Sequence, residues 1–97
     1  MARVVLTAEA VEQLEALRSP IHGRVLRLLV RLERWPEVSG AKPLTGEVAR
    51  RYRLRTGDYR LQFRLETRKD KDKNTGKVIT RYKITVEKVG HRDGFYE

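Results

Sequence analysis

Arg51-Tyr52-Arg53-Leu54-Arg55-Thr56-Gly57-Asp58-Tyr59-Arg60-Leu61-Gln62-Phe63-Arg64-Leu65-Glu66 is the stretch on which the fold turns. Tyr52 and Leu54 alternate with Arg51, Arg53 and Arg55. Beyond the turn pair Gly57-Asp58, Tyr59, Leu61, Phe63 and Leu65 alternate with Arg60, Gln62, Arg64 and Glu66. A period of two is that of a strand whose successive side chains point to opposite faces, so the segment reads as an antiparallel hairpin with one apolar and one polar face. Further on, Tyr82, Ile84 and Val86 alternate with Arg81, Lys83, Thr85 and Glu87, which extends the hairpin into a meander. The intervening run Arg68–Lys77 reads as a charged loop, the solvated end of the second hairpin.

An apolar sheet face must be covered, and the cover lies upstream. Val4-Val5-Leu6 reads as a short edge strand, and Thr7 as the cap of a helix whose stripe is Ala8, Val11, Leu14 and Leu17, with Glu9, Glu12 and Glu15 on the wet side. Ser19-Pro20 signals a restart, Ser19 as N-cap and Pro20 as the first helical residue. The second helix aligns Ile21, Val25, Leu28, Leu29, Leu32 and Trp35. It carries Arg24, Arg27, Arg31 and Arg34 on its other side, with Pro36 ending it. Ser39–Glu47 is then a loop broken by Gly40, Pro43 and Gly46. The predicted fold is α+β, in the order β-α-α-β-β-β, a helical hairpin packed on a small antiparallel sheet. Residues 1–97 form a single domain in this reading.

Charge narrows the partner. The chain of 97 residues has a formal net charge of +9 and a pI near 10.4. The excess sits almost wholly after residue 40, a distribution that favours phosphates as partners through long-range attraction and counterion release. There is no cysteine, which removes disulfides and thiolate metal sites and fits the cytoplasm. No apolar run approaches a membrane span, and no metal, nucleotide or cofactor motif occurs. The polar face of the meander is unusually rich in arginine: Arg51, Arg53, Arg55, Arg60 and Arg64. Facing like charges destabilise a sheet by some tenths of a kcal/mol per pair, a local cost that bound phosphates would offset. The plain alternative is a solvated face with arginines paired to Glu66, Glu87 or Asp58.

Four segments, in this order and spacing, resemble the RelE/ParE superfamily of bacterial and archaeal toxins. They are Lys42-Pro43-Leu44-Thr45-Gly46, Tyr52-Arg53-Leu54-Arg55, Gly57-Asp58-Tyr59-Arg60, and Val89-Gly90-His91-Arg92 with Tyr96 following. The likeness covers nearly the whole chain, and the glycine–histidine–arginine ending with a late tyrosine is similar to the RelE branch. That resemblance implies a metal-independent, ribosome-dependent endoribonuclease, in which the 2′-hydroxyl of mRNA attacks the adjacent phosphodiester. It implies that Arg53 and Arg55 sit where the family places basic residues that hold the phosphate and assist deprotonation, that Arg60 braces the transition-state charge, that Arg92 serves the leaving oxygen, and that Tyr96 stacks on or orients a base. Lys42, Arg51 and Arg64 would hold RNA.

The best-studied pattern of the family has lysines where Arg53 and Arg55 stand here. A guanidinium stays protonated and makes a poor base, which leaves His91 as the nearby group that titrates near neutrality. A strand-end structural role for His91 remains the other reading. The resemblance further implies a cognate antitoxin, an extended acidic-to-amphipathic segment masking Arg53, Arg60 and Arg92, with the ribosome and mRNA as targets. No small-molecule cofactor and no membrane are expected, and the free chain is expected to be a monomer, with no apolar stripe left exposed. Two other functions stay open: a ParE-like toxin that inhibits DNA gyrase without cutting RNA, and a toxin-fold protein that only binds. Tyr52, Tyr59, Tyr82 and Trp35 are assigned to the core, Phe95 closes it, and His22 lies at its boundary.

Overall fold

The alternation in residues 51–66 is realised as two antiparallel strands, β3 (Arg51–Thr56) and β4 (Tyr59–Lys71), in a computed structural model that describes residues 2–44 and 50–91. Thr56 pairs with Tyr59, so Gly57-Asp58 is a two-residue hairpin loop. Gly57 sits at φ 58°, as a tight hairpin with glycine in first place requires. β5 (Val78–His91) pairs antiparallel with β4 along its whole length. β1 (Ala2–Leu6) joins the far side of β5 in parallel, and a two-residue strand, β2 (Lys42–Pro43), joins β3. The sheet order is therefore β1-β5-β4-β3-β2.

The α+β architecture and the helical cover are as the sequence predicts, with one added strand. β2 lies inside the expected loop: Lys42 and Pro43 pair with Arg53 and Tyr52, a match too short to leave a periodic signature. The predicted charged loop is the other difference. β4 continues to Lys71 and β5 begins at Val78, so the turn is confined to the residues between them.

Two helices, α1 (Ala8–Glu15) and α2 (Ile21–Leu32), cover one face. Thr7 caps α1, its hydroxyl accepting from the Ala10 N–H at 3.1 Å. The buried side of α1 is Ala10 and Leu14, while Ala8 and Val11 are exposed. The stripe is thus rotated by about one residue from the sequence reading, because Thr7 and Gln13 tie the helix to β5 and fix its roll. Ser19 makes no capping bond; Pro20 occupies the cap position and α2 starts at Ile21. α2 ends at Leu32, ahead of Pro36, and its chain tightens through N–H bonds from Glu33, Arg34 and Trp35 to the carbonyls three residues back.

Val25, Leu28 and Leu32 of α2 meet Leu54, Leu61, Phe63, Ile84, Val86 and Val89 of the sheet in the core. Trp35, Tyr52 and Phe63 close one end as a ring cluster with centroids 5.2 to 5.7 Å apart. Leu26 and Val30, one turn apart on α2, remain exposed, so an apolar pair does persist on the outer helix face.

Phe63 is fully buried and touches both other rings of the cluster. Phe63→Ala is expected to lower unfolding free energy by about 3–5 kcal/mol, read from urea denaturation. A loss below about 1 kcal/mol would mean that the ring cluster contributes little to holding the core together.

Candidate nucleic-acid interface

The face of the sheet turned away from the helices is organised in transverse rows, because residues directly opposite across a ladder share a face. Lys42, Arg53, Gln62 and Lys88 form one row. Arg55, Arg60 and Gly90 form the row nearest the β3–β4 turn. On the other side come Arg51, Arg64, Thr85 and Val5, and then Glu66, Lys83 and Arg3. Five arginines predicted from parity therefore do lie on one face, with two pairs of like charge directly opposed: Arg55 to Arg60 and Arg51 to Arg64.

The two opposed pairs are treated differently. Arg51 donates to Glu87 through Nε at 2.7 Å and a second guanidinium nitrogen at 3.3 Å. Arg64 reaches Glu66 at 3.4 Å. Its Nε is buried without a hydrogen-bond partner among the described residues. Arg55 is exposed and makes no ion pair among the described residues. Its row ends on Gly90, which adds no side chain. Glu87 thus offsets charge at the Arg51–Arg64 row, while the Arg55–Arg60 row lies at the other end of β3, beside the turn that carries Asp58.

At that end of β3 a cleft of about 570 Å³ opens at the sheet edge, lined by Arg31, Ser39, Gly40, Lys42, Arg53, Leu54, Arg55 and Gly57. Four of these are cations, and no carboxylate is among the described lining residues. Arg31 reaches the cleft from α2, held by a 2.7 Å bond to the Ser39 carbonyl. In the sequence Arg31 is one more arginine on a helix flank; only the chain path after α2 brings it beside Arg53 and Arg55.

Lys88 was also hidden in the sequence. Phe63 pairs with Val86 but Gln62 with Lys88, which leaves Glu87 as the extra residue of a β-bulge. The bulge puts Glu87 and Lys88 on the arginine face and restores Val89 to the core. The signal was the three-residue spacing Val86-Glu87-Lys88-Val89, which breaks the period of two.

By the same parity His91 pairs with Tyr59 and stands edge-on to its ring at 5.2 Å, on the helix side of the sheet. It is across the sheet from the arginine rows. Arg92 and Tyr96 lie outside the described residues, as do Thr45, Gly46 and Phe95. Among the described residues no group of three His, Cys, Asp or Glu side chains is placed to hold a metal ion, and no helix is long and apolar enough to cross a membrane.

One titrating contact on this face can be checked directly. The hydrogen bond from Arg51 is the largest influence on Glu87 and holds its carboxyl below the usual range against the opposing effect of burial. The Arg51 charge, Gln62 and Arg64 add to the lowering. A depressed carboxylate pKa contributes stability that is complete above its unfolded value, near 4.3, and is lost as pH falls through the folded value. Glu87→Gln is therefore expected to be less stable than wild type at pH 7, with the gap closing as pH falls below about 4. Urea midpoints at several pH values test this; a gap unchanged down to pH 3 would show that the pair contributes nothing through charge.

A crystal structure of the toxin–antitoxin complex RelBE2 from Mycobacterium tuberculosis contains a chain similar to this one. The two are 27% identical, the match covers 94% of this chain and 98% of that one, and the TM-score is 0.66. No protein-family model and no curated protein sequence matches the chain.

Proposed function

We propose that this chain, a member of the RelE/ParE toxin-fold family, is a ribosome-dependent mRNA endoribonuclease restrained by a cognate antitoxin. The observation that carries the reading is the juxtaposition of the Lys42–Arg53 and Arg55–Arg60 rows with a cleft to which Arg31 adds a further cation. Such a surface suits a phosphodiester whose charge rises during reaction. The 2′-oxygen attacks phosphorus and gives up its proton. The negative charge on the phosphoryl oxygens grows, and the bond to the 5′-oxygen breaks as that oxygen takes a proton. Products are a 2′,3′-cyclic phosphate and a 5′-hydroxyl.

In this reading Arg53, Arg55 and Arg60 act electrostatically. Their guanidiniums remain charged at any working pH and cannot take the 2′-proton. Arg92 serves the leaving oxygen and Tyr96 orients a base, roles that rest on the family resemblance alone. Arg51 is anchored by Glu87, which offsets its charge and leaves it a lesser part in holding RNA. The antitoxin follows from the likeness to a chain found in a toxin–antitoxin complex. It would cover the same cations with carboxylates.

A second reading is kept because of one specific feature. Both strand positions that would assist deprotonation carry arginine, and His91 faces Tyr59 on the other side of the sheet. A protein that binds its target without cutting it, as a ParE-like gyrase inhibitor does, has no need of a base.

In vitro translation with mapped mRNA 5′ ends separates the two. The expected result is cutting at the ribosomal A site by wild type, lost by at least a hundredfold in Arg53→Ala, Arg60→Ala and Arg92→Ala while thermal unfolding midpoints stay within a few degrees. Intact mRNA and normal translation with wild type would overturn the ribonuclease reading and direct attention to a supercoiling assay.

A further inference from the structure

The β4–β5 ladder runs on past the core as a two-stranded ribbon. Leu65 and Tyr82 are the outermost residues of either strand that pack against the core. Beyond Tyr82 and its partner Thr67, Arg68–Lys71 and Val78–Arg81 remain paired residue for residue to the tip. At a rise of about 3.4 Å per residue this is roughly 14 Å of projecting ribbon before the turn, consistent with a long axis of 47 Å against 30 and 25 Å. The tip is hydrogen-bonded throughout. Asp72 N–H donates to the Lys77 carbonyl and Gly76 N–H to the Asp72 carbonyl, both at 2.8 Å. Gly76 takes the positive φ of 72° that closes the turn.

Acidic and basic groups are sorted along this ribbon. Asp70 is held by Arg68 and Arg81, each at 3.0 Å, on the side continuous with the arginine face. Asp72 is turned inward, its carboxylate accepting from the N–H groups of Asn74 and Thr75. The carboxylates are therefore committed within the chain. Lys69 and Lys71 stand on the opposite side by parity with Leu65, and Lys73 and Lys77 flank the tip. All four are exposed and make no ion pair among the described residues.

We propose that this ribbon is a second polyphosphate contact, seated by Lys69, Lys71, Lys73 and Lys77 against the backbone of double-helical RNA. The inference rests on the RNA-directed part of the reading above and is independent of cleavage. Lysines on long stems are point charges that suit phosphate spacing without reading bases, and A-form RNA offers its backbone while its deep groove hides the base edges. A protein partner fits less well. Such interfaces centre on buried aromatic or aliphatic anchors, and Val78 is the one large apolar side chain exposed on the described ribbon. Because Lys69 and Lys71 face away from the arginine rows and Lys73 and Lys77 flank the tip, the ribbon and the rows would engage separate segments of a folded RNA.

The test is fluorescence anisotropy with the full chain and a 2′-O-methyl RNA duplex, which cannot be cut by 2′-hydroxyl attack. Expected is a loss of about tenfold or more at 0.1 M salt when Lys69, Lys71, Lys73 and Lys77 are all changed to Gln. The slope of log K against log salt should become shallower by roughly three. Arg24→Gln with Arg27→Gln, a pair of exposed cations on α2, should cost the duplex less than threefold. Circular dichroism and melting confirm that each variant folds. Binding of the quadruple variant within twofold of wild type, tighter binding of a B-form DNA duplex, or a loss seen only with an acidic protein partner would each overturn the proposal. Failure of the ribonuclease reading appears elsewhere, as intact mRNA, and leaves this binding result interpretable.

Discussion

Between Val86 and Lys88 the pairing of β5 with β4 slips by one residue, and Glu87 is left without an opposite number. Much of the molecule is arranged around that slip. Thr7 N–H donates to the Val86 carbonyl and the Thr7 hydroxyl to that of Glu87, so β1 ends and α1 begins where the bulge exposes backbone acceptors. The N–H of Val89, just past the bulge, donates to the Gln13 side chain at 2.8 Å. Helix α1 is thus fastened to the irregularity at both of its turns, and its roll follows from those bonds more than from its own hydrophobic pattern. A buried backbone group left unpaired would cost about 1–3 kcal/mol, so these bonds make a defect in the ladder compatible with a covered sheet.

The same slip shapes the electrostatics of the open face. Without it Glu87 would still alternate outward, but Lys88 would turn toward the helices and Val89 toward water. With it, a carboxylate and an ammonium arrive side by side on the arginine face. Glu87 quiets the Arg51–Arg64 row and Lys88 reinforces the Lys42–Arg53 row. The face is thus uneven in charge from row to row and not a uniform patch. A polyanion drawn to the molecule would be oriented by it.

Most of the fold was legible in the sequence because it rests on local periodicity. The β3–β4 alternation, the Thr7 cap and the apolar stripe of α2 each state their own answer. What was hidden depends on residues distant in the chain. The exposed side of α1 was misread because Ala8 and Val11 match a helical stripe as well as Ala10 and Leu14 do, and only contact with β5 decides between them. The charged run Arg68–Lys77 looked like a loop because its composition is that of a solvated segment. Strand pairing there follows from the continuing ladder and from the Asp70 bridge between Arg68 and Arg81. On the candidate site, parity sufficed for the arginine rows. Arg31 required the path of the chain after α2, and the placement of His91 required the bulge.

The strand order carries a last consequence, for the time course of synthesis. β5 is the final strand described, yet it lies inside the sheet, between β1 and β4. Ala2 pairs with Tyr82 and Leu6 with Val86, partners separated by eighty residues. As the chain leaves the ribosome, β1 has no neighbour to bind and the helical hairpin has only part of a sheet to cover. Closing so long a loop is entropically costly and comes late. A nascent chain interrupted before β5 has neither Val86 and Val89 for its core nor Glu87 for its arginines. The assembled arginine face therefore belongs to chains carried at least through β5, and the topology ties its appearance to the synthesis of that strand.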